Sequence, residues 1–132
     1  MIGLHEELAA REAQNQPVRI GLIGAGQMGT DVVAQVTRMK GIEVCAIADI
    51  DRQRAKDAYK IGQTTGEVVE VKTAAEADVA VAAGKWAVAD DYRIIADMKN
   101  IDVMLESTGV PEVGAKAALR SARHGHQLAM MN

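Results

Sequence analysis

A glycine-rich turn between two different hydrophobic patterns constrains the fold of this chain more than any other feature. The turn reads Gly24-Ala25-Gly26-Gln27-Met28-Gly29 and follows an apolar run at 18–23. A stripe of apolar residues near helical spacing comes next, closed by Gly41, and its members are Met28, Val32, Val33, Val36 and Met39. The run 43–48 then suits a buried parallel strand. The sequence therefore predicts a strand, a tight turn, a helix and a second strand.

The three glycines of the turn are spaced as binding of a dinucleotide requires. Gly24 allows the tight turn, Gly26 lets a diphosphate lie against the main chain, and Gly29 lets the helix pack close to the sheet. The open N-terminus of the following helix carries about half a positive charge, which favours an anion. Asp49 follows Gly29 by 20 positions. An acidic side chain at about this distance bonds the adenosine ribose hydroxyls.

The rest of the chain continues the alternation of strands and helices. Asp51 is the expected N-cap of the next helix. Residues 63–72 are polar and β-prone and are expected to form a loop or a short hairpin arm. Thr73 then caps a helix that ends at Gly84, and the whole stretch 62–85 is expected to be an insertion. The elements expected after it are a strand at 86–89, a helix to Lys99, a strand at 101–107, a helix from Pro111 to His124, and a strand at 126–131.

This order predicts a single α/β domain over residues 1–132, a doubly wound parallel sheet of the Rossmann type with strand order 3-2-1-4-5. A leading helix, Leu4 to Asn15 within residues 1–16, is expected to pack on the sheet or on a partner chain. In such sheets ligands bind beyond the carboxyl ends of the strands, where the strand order reverses. That rule places the turn Ser107-Thr108-Gly109 beside the glycine turn, near the nicotinamide-side ribose. Asn132 would point toward the same end.

Composition excludes several other classes of protein. The net charge is −3 without a basic run, which argues against a nucleic-acid partner. No apolar run reaches transmembrane length, and the single cysteine, Cys45, excludes an internal disulfide. We therefore expect a soluble, cytoplasmic protein with no membrane partner. No cluster of residues has metal-ligand spacing, and His5, His124 and His126 are expected to be structural or solvated, so the catalytic residues stay unknown.

The motifs together carry a resemblance to a known family. The stretches are Gly21 to Gly29, Ala48-Asp49, and Asp102 to Ala115, which contains Glu-Ser-Thr-Gly-Val-Pro. With the leading helix, they make the chain similar to the amino-terminal domain of homoserine-dehydrogenase-like NAD(P)-dependent oxidoreductases. The resemblance is to the subgroup with a carboxyl-terminal SAF domain, which includes the DXP-reductoisomerase-like (DRL) enzymes.

The resemblance implies a nicotinamide cofactor. For the DRL enzymes it implies NADPH-dependent reduction and isomerisation of 1-deoxy-D-xylulose 5-phosphate, a step of isoprenoid biosynthesis. The choice between NAD and NADP stays open at this point. Asp49 favours NAD because a carboxylate repels a 2′-phosphate, whereas Arg52 or Arg54 could pair that phosphate.

The chain stops directly after an apolar strand, which leads to the expectation that it is the cofactor half of a longer enzyme. The substrate would then bind to a missing domain, the isolated chain would be inactive, and uncovered apolar surface could drive homo-oligomer formation. The alternative from another class is a regulatory domain that senses NAD without chemistry, such as a ligand-gating domain. A methyltransferase is disfavoured, because Leu22 and Ile23 stand where such enzymes usually carry an acidic residue.

Overall fold

A computed structural model describes residues 3–14 and 16–131. The strands form a six-stranded sheet in the order β3-β4-β2-β1-β5-β6, and every neighbouring pair is parallel. The elements, in chain order, are α1 (Leu4–Ala13), β1 (Val18–Ile23), α2 (Gln27–Thr37), β2 (Ile42–Ala48), α3 (Arg52–Ile61), β3 (Val68–Glu70), α4 (Ala74–Ala82), β4 (Trp86–Ala89), α5 (Tyr92–Ala96), β5 (Val103–Glu106), α6 (Pro111–Ala122) and β6 (Gln127–Met130).

Helices cover both faces of the sheet, and each face has its own apolar core. On one face, Val33 and Val36 of α2 pack with Ala55 and Tyr59 of α3. On the other face, buried residues of α4, α5 and α6 pack against the sheet, among them Val81, Ile95 and Ala117. Small and β-branched side chains dominate both cores, so the helices can approach the strands closely. The result is the doubly wound α/β architecture that the sequence predicted.

The predicted strand order is confirmed for the five expected strands, and the structure adds a sixth. The prediction for 62–85 was wrong in part, because Val68–Glu70 is not a hairpin arm. It pairs in parallel with β4 and extends the sheet by one edge strand. Thr73 caps α4 as expected, accepting a hydrogen bond from the Glu76 amide at 3.1 Å. The segment is therefore one more strand–helix unit of the same sheet.

Several boundaries and one helical stripe differ from the sequence prediction. Helix α5 ends at Ala96 rather than Lys99, and α6 ends at Ala122 rather than His124. Met28 and Met39 are exposed, so they do not belong to the buried face of α2. Hydrophobicity alone cannot separate a core methionine from one at an exposed helix end, which explains the difference.

The leading helix packs on its own domain rather than standing free. Leu8 is buried, and the backbone of Leu8 lies directly against Gly41, where a Cβ atom would overlap its carbonyl group. Arg11 lies 3.9 Å from Asp102, in the loop that precedes β5. Helix α1 therefore covers the amino edge of the sheet. Helix α1 ends at Ala13 rather than at the predicted Asn15. Asn15 and Asn132 themselves lie outside the described residues.

A buried histidine joins the last helix to the last strand. The Nε2 atom of His126 lies 2.6 Å from the Met98 carbonyl oxygen, so Nε2 carries the proton and donates. The Nδ1 atom then accepts from the Ser121 hydroxyl at 2.5 Å. Burial, the largest cause, lowers the pKa of His126 from its usual value of 6.5. His126 therefore has a structural role in the neutral form.

This arrangement predicts that acidification destabilises the domain. Because the pKa of His126 is lower in the folded protein, its stabilising contribution is complete above pH 6.5 and is lost as the pH falls through the lowered value. Urea unfolding at about pH 7.5 and about pH 5.5 measures this loss. The His126→Gln variant, which has no titrating group at this position, should lose less free energy of unfolding over the same interval. An equal loss in both proteins would contradict the assignment.

Candidate functional site

The largest described cavity lies at the carboxyl edge of the sheet, where β1 separates β2 from β5. Its volume is about 590 Å³, within the range of small-molecule sites. A second cavity, of about 330 Å³, lies at the opposite edge. The residues that line the larger cavity are Ile23, Gly24, Gly26, Ala48, Asp49, Ile50, Asp51, Arg54, Asp90, Asp91, Tyr92, Ser107, Thr108, Val110 and Val113.

The glycine turn lines this cavity through Gly24 and Gly26, and it leads directly into helix α2. Gly26 is the N-cap of α2, and no side chain caps the helix. The first intrahelical hydrogen bond runs from the Thr30 amide to the Gly26 carbonyl at 2.9 Å. The amides of Gln27, Met28 and Gly29 therefore have no partner within the helix. Together with the helix dipole, they form a site suited to an anionic group.

Two glycines of the turn are required by close backbone approach. Gly24 has φ +100°, and a Cβ atom there would lie 2.8 Å from the Ser107 carbonyl carbon. At Gly29 a Cβ atom would overlap the Gly24 carbonyl oxygen. At Gly26 the nearest neighbour of a Cβ atom would be the end of the Arg54 side chain, at 3.2 Å. Gly24 and Gly29 thus serve the fold, whereas Gly26 leaves space on the cavity side.

Asp49 is held in a fixed position at the carboxyl end of β2. Its Oδ2 atom accepts a hydrogen bond from the Ala25 amide at 2.8 Å, and Oδ1 accepts from the Asp51 amide at 2.9 Å. The side chain is only 9% exposed. Because each carboxylate oxygen can accept more than one hydrogen bond, Asp49 can still bind hydroxyl groups of a ligand.

The structure separates the two arginines that the sequence left as alternatives. Arg52 does not line the cavity; its Nε atom lies 3.9 Å from Glu70, which Lys56 also contacts at 2.7 Å. Arg54 lines the cavity, and its Nε atom lies 4.0 Å from Asp49 Oδ2. Arg54 is 56% exposed, so it can move toward a ligand. Of the two, Arg54 is therefore the one that borders the cavity, whereas Arg52, the residue predicted to bind the cofactor, does not.

The turn after β5 lies beside the glycine turn, as the sequence predicted, but its hydroxyl groups are already paired. The Ser107 hydroxyl donates to the Gly24 carbonyl at 2.7 Å. The Thr108 hydroxyl donates to Glu106 and accepts from the Val110 amide at 3.1 Å. Ser107 and Thr108 line the cavity, whereas Gly109, with φ +71°, provides the bend of the turn.

Sequence reasoning missed the residues on the β4 side of the cavity. Ile50, Asp90, Asp91 and Tyr92 all line it, and Ile50 is 94% exposed. Arg93 donates to Asp91 and holds the pKa of that carboxyl below its usual range. The signal was available, because these residues follow the carboxyl ends of β2 and β4, where ligands of such sheets bind.

Other kinds of site find no support in the described part of the chain. Within residues 3–14 and 16–131, no three His, Cys, Asp or Glu side chains are grouped as a metal site would need. Cys45 is buried, and burial raises the pKa of its thiol, so it is not an activated nucleophile. Among the described helices, none combines the length and apolar character needed to cross a bilayer.

The parallel sheet, the uncapped glycine turn and the acidic residue after β2 are the features of a Rossmann-type dinucleotide-binding domain. Comparison with known families agrees with a dinucleotide-binding domain and adds that the family is one of oxidoreductases. The chain belongs to the family described as NADP oxidoreductase, coenzyme F420-dependent, whose model matches residues 19–101.

Known proteins similar to this chain are dehydrogenases and reductases. It is 29% identical over 110 residues to inositol 2-dehydrogenase 4 of Saccharopolyspora erythraea, a match that covers 80% of this chain and 32% of that protein. Among solved structures, myo-inositol dehydrogenase from Lactobacillus casei, in complex with NAD(H) and myo-inositol, is 20% identical with a TM-score of 0.63. That match covers 86% of this chain and 28% of the other.

A 3-ketoreductase from Actinomadura kijaniata, in complex with TDP-benzene and NADP, is 18% identical with a TM-score of 0.59, covering 86% of this chain and 29% of the other. At these identities the likeness to solved structures is one of fold. The chain spans about a third of the length of the curated relative, so the activity of the relatives concerns a larger protein than these 132 residues. The homoserine-dehydrogenase-like subgroup does not appear among these matches.

Proposed function

We propose that the cavity at the carboxyl edge binds NAD(H) or NADP(H) and that the chain supplies the cofactor domain of an oxidoreductase. The observation that carries this proposal is the uncapped N-terminus of α2, whose N-cap residue Gly26 lines the same cavity as Asp49. The helix N-terminus suits a diphosphate, and the carboxylate suits the hydroxyl groups of a ribose. Dinucleotide complexes of similar folds support the proposal.

The diphosphate, the adenosine and the nicotinamide half of the cofactor would each lie in a different part of the cavity. The diphosphate lies over Gly26, and the adenosine ribose bonds Asp49. The adenine lies between Ile50 and Tyr92, which offer apolar surface on the β4 side of the cavity. The nicotinamide half extends toward the turn 107–110, across the point where the strand order reverses.

The bound nicotinamide would supply or accept a hydride at a carbon that carries oxygen. Two substrate classes are proposed. The likeness to inositol 2-dehydrogenase supports a polyol. The Glu106–Ala115 stretch resembles the DRL enzymes and supports a deoxyxylulose-phosphate-like substrate reduced with NADPH. A strong preference for NADPH would favour the second class, and a preference for NAD would favour the first.

Titration of the purified chain with NADH and NADPH tests the proposal directly. We expect saturable binding in calorimetry and a change in the fluorescence of the reduced nicotinamide. Adenosine, which lacks the diphosphate, should bind far more weakly because it cannot use the amides of α2. Absence of binding by both dinucleotides to folded protein would contradict the proposed function.

We further expect Arg54 to determine how well NADPH binds. The Arg54→Gln change removes the cation beside Asp49 and should lower NADPH affinity about tenfold, the size of a charge-assisted hydrogen bond. NADH affinity should change little, because NADH lacks the 2′-phosphate. Calorimetric titration of both cofactors measures the difference.

The Arg52→Gln variant is a matched control on the same helix turn. Since Arg52 faces Glu70 rather than the cavity, this change should leave both affinities unchanged. A loss of NADPH affinity in the Arg52 variant but not in the Arg54 variant would reverse the assignment. Equal losses of NADH and NADPH affinity in the Arg54 variant would place Arg54 at the diphosphate instead.

A further inference from the structure

The buried carboxylate of Glu106 stands at the carboxyl end of β5, next to the proposed cofactor cavity. The residue is 2% exposed, although its side chain is polar and ionisable. Its Oε1 atom accepts a hydrogen bond from the Thr108 amide at 2.7 Å and another from the Thr108 hydroxyl. A buried charge is costly unless hydrogen bonds satisfy it, so these contacts are required by the fold.

The hydrogen bonds of Glu106 form one end of a connected set that runs through the turn 107–110. The Thr108 hydroxyl donates a hydrogen bond to Glu106 and accepts one from the Val110 amide, and Val110 is the N-cap of α6. Ser107 ties the same turn to the glycine turn through the Gly24 carbonyl. The shape of the turn therefore depends on a hydroxyl group at 108 and on an acceptor at 106.

Helix α6 is also adapted to this carboxylate. A Cβ atom at Gly114 would lie 2.8 Å from Glu106 Oε2, so a glycine is needed where the helix passes the buried charge. The first turn of α6, the strand end and the turn between them thus pack around one acidic side chain. These residues border the side of the cavity away from Asp49, because β1 lies between β2 and β5.

We propose that Glu106 is a positioning residue, which acts through Thr108 to shape the wall that receives the nicotinamide half of the cofactor. This inference rests on the proposed function. It also changes the role expected for Thr108, because a hydroxyl group that already donates its one hydrogen bond to Glu106 cannot donate another to a ribose. Thr108 forms part of the wall of the cavity, and Glu106 holds Thr108 in position by accepting hydrogen bonds from its amide and its hydroxyl group.

The test compares NADH with ADP, which shares the adenosine and diphosphate but lacks the nicotinamide nucleoside. Thr108→Val keeps the shape of the side chain but removes two hydrogen bonds: the one that the hydroxyl group donates to Glu106 and the one that it accepts from the Val110 amide. NADH affinity should fall about tenfold, as expected for the loss of a hydrogen bond to a charged group. ADP affinity should stay unchanged, and Thr108→Ser, which keeps the hydroxyl, should restore NADH affinity.

A second variant addresses Glu106 itself. Glu106→Met fills a similar volume without accepting a hydrogen bond, and it should reproduce the selective loss of NADH affinity. If this variant does not fold, the two Thr108 variants decide the question. Equal losses for NADH and ADP, or unchanged NADH affinity in Thr108→Val, would overturn the positioning role. Failure of the unaltered protein to bind either ligand would instead overturn the proposed function.

Discussion

Replacement of Gly26 by alanine is expected to remove most of the affinity for NADH and NADPH while the protein stays folded. The residue has φ −74° and ψ −161°, which alanine adopts readily. The nearest neighbour of the added methyl group is the flexible end of Arg54. On the cavity side, however, the methyl group would occupy the place proposed for the diphosphate. We expect a loss of about ten- to a hundredfold in affinity, the usual cost of forced overpacking.

Gly3 provides a matched control for this change. It is the N-cap of α1 with φ −70° and ψ 158°, and among the described residues no atom beyond its chain neighbours lies within 4 Å of a Cβ atom placed there. Gly3→Ala should therefore leave cofactor affinity unaltered. Calorimetric titration and circular dichroism of both variants separate binding from folding. If folded Gly26→Ala protein binds NADH as tightly as the unaltered protein, the diphosphate does not lie over Gly26.

Replacement of Gly29 by alanine is expected to destabilise the fold itself. The methyl group would overlap the Gly24 carbonyl oxygen, and that backbone cannot easily move. The Gly24 amide donates a hydrogen bond to the Ala48 carbonyl oxygen at 2.8 Å, and the Gly24 carbonyl oxygen accepts one from the Ser107 hydroxyl at 2.7 Å. Alanine gains about 1 kcal/mol over glycine in helix propensity, which offsets part of the cost. We expect a net loss of about 2–3 kcal/mol in the free energy of unfolding.

Urea unfolding measures this effect, with Gln27→Ala as the control in the same helical turn. Gln27 is exposed, so its replacement should change the free energy of unfolding by no more than about 0.5 kcal/mol. A Gly29→Ala protein as stable as the unaltered one would show that α2 can move away from the glycine turn. In that case the close packing of helix on sheet would not require this glycine.

The fold could be predicted from local patterns because its essential signals are local. The first strand was predicted with the bounds that the structure shows, Val18–Ile23, since an apolar run directly precedes a glycine turn. The caps Asp51 and Thr73 were also read correctly, because a capping side chain bonds amides only two or three residues away. The edge strand Val68–Glu70 was not recognised as part of the sheet, because it has only three residues and a short β-prone run does not show which strand it pairs with.

Some residues of the candidate site could likewise be predicted from the sequence, and others could not. The glycines and Asp49 follow a spacing rule, so the sequence indicated them without a structure. The rule could not separate Arg52 from Arg54, because both begin the same helix and only packing turns Arg52 toward Glu70. Nor could it show that the hydroxyls of Ser107 and Thr108 are already paired, since one of their partners is Gly24, 83 positions away from Ser107.

The sequence by itself determined the order of the elements, the parallel sheet and the place of the glycine turn, because periodicity, caps and turns act over a few residues. The tertiary structure alone decided which charge faces the cavity, which hydroxyl groups are paired, and that Glu106 is buried beneath the turn. Several of these properties, such as the pairing of Arg52 with Glu70 and of Ser107 with Gly24, depend on contacts between elements that are separated in the chain, and such contacts form only when the sheet assembles.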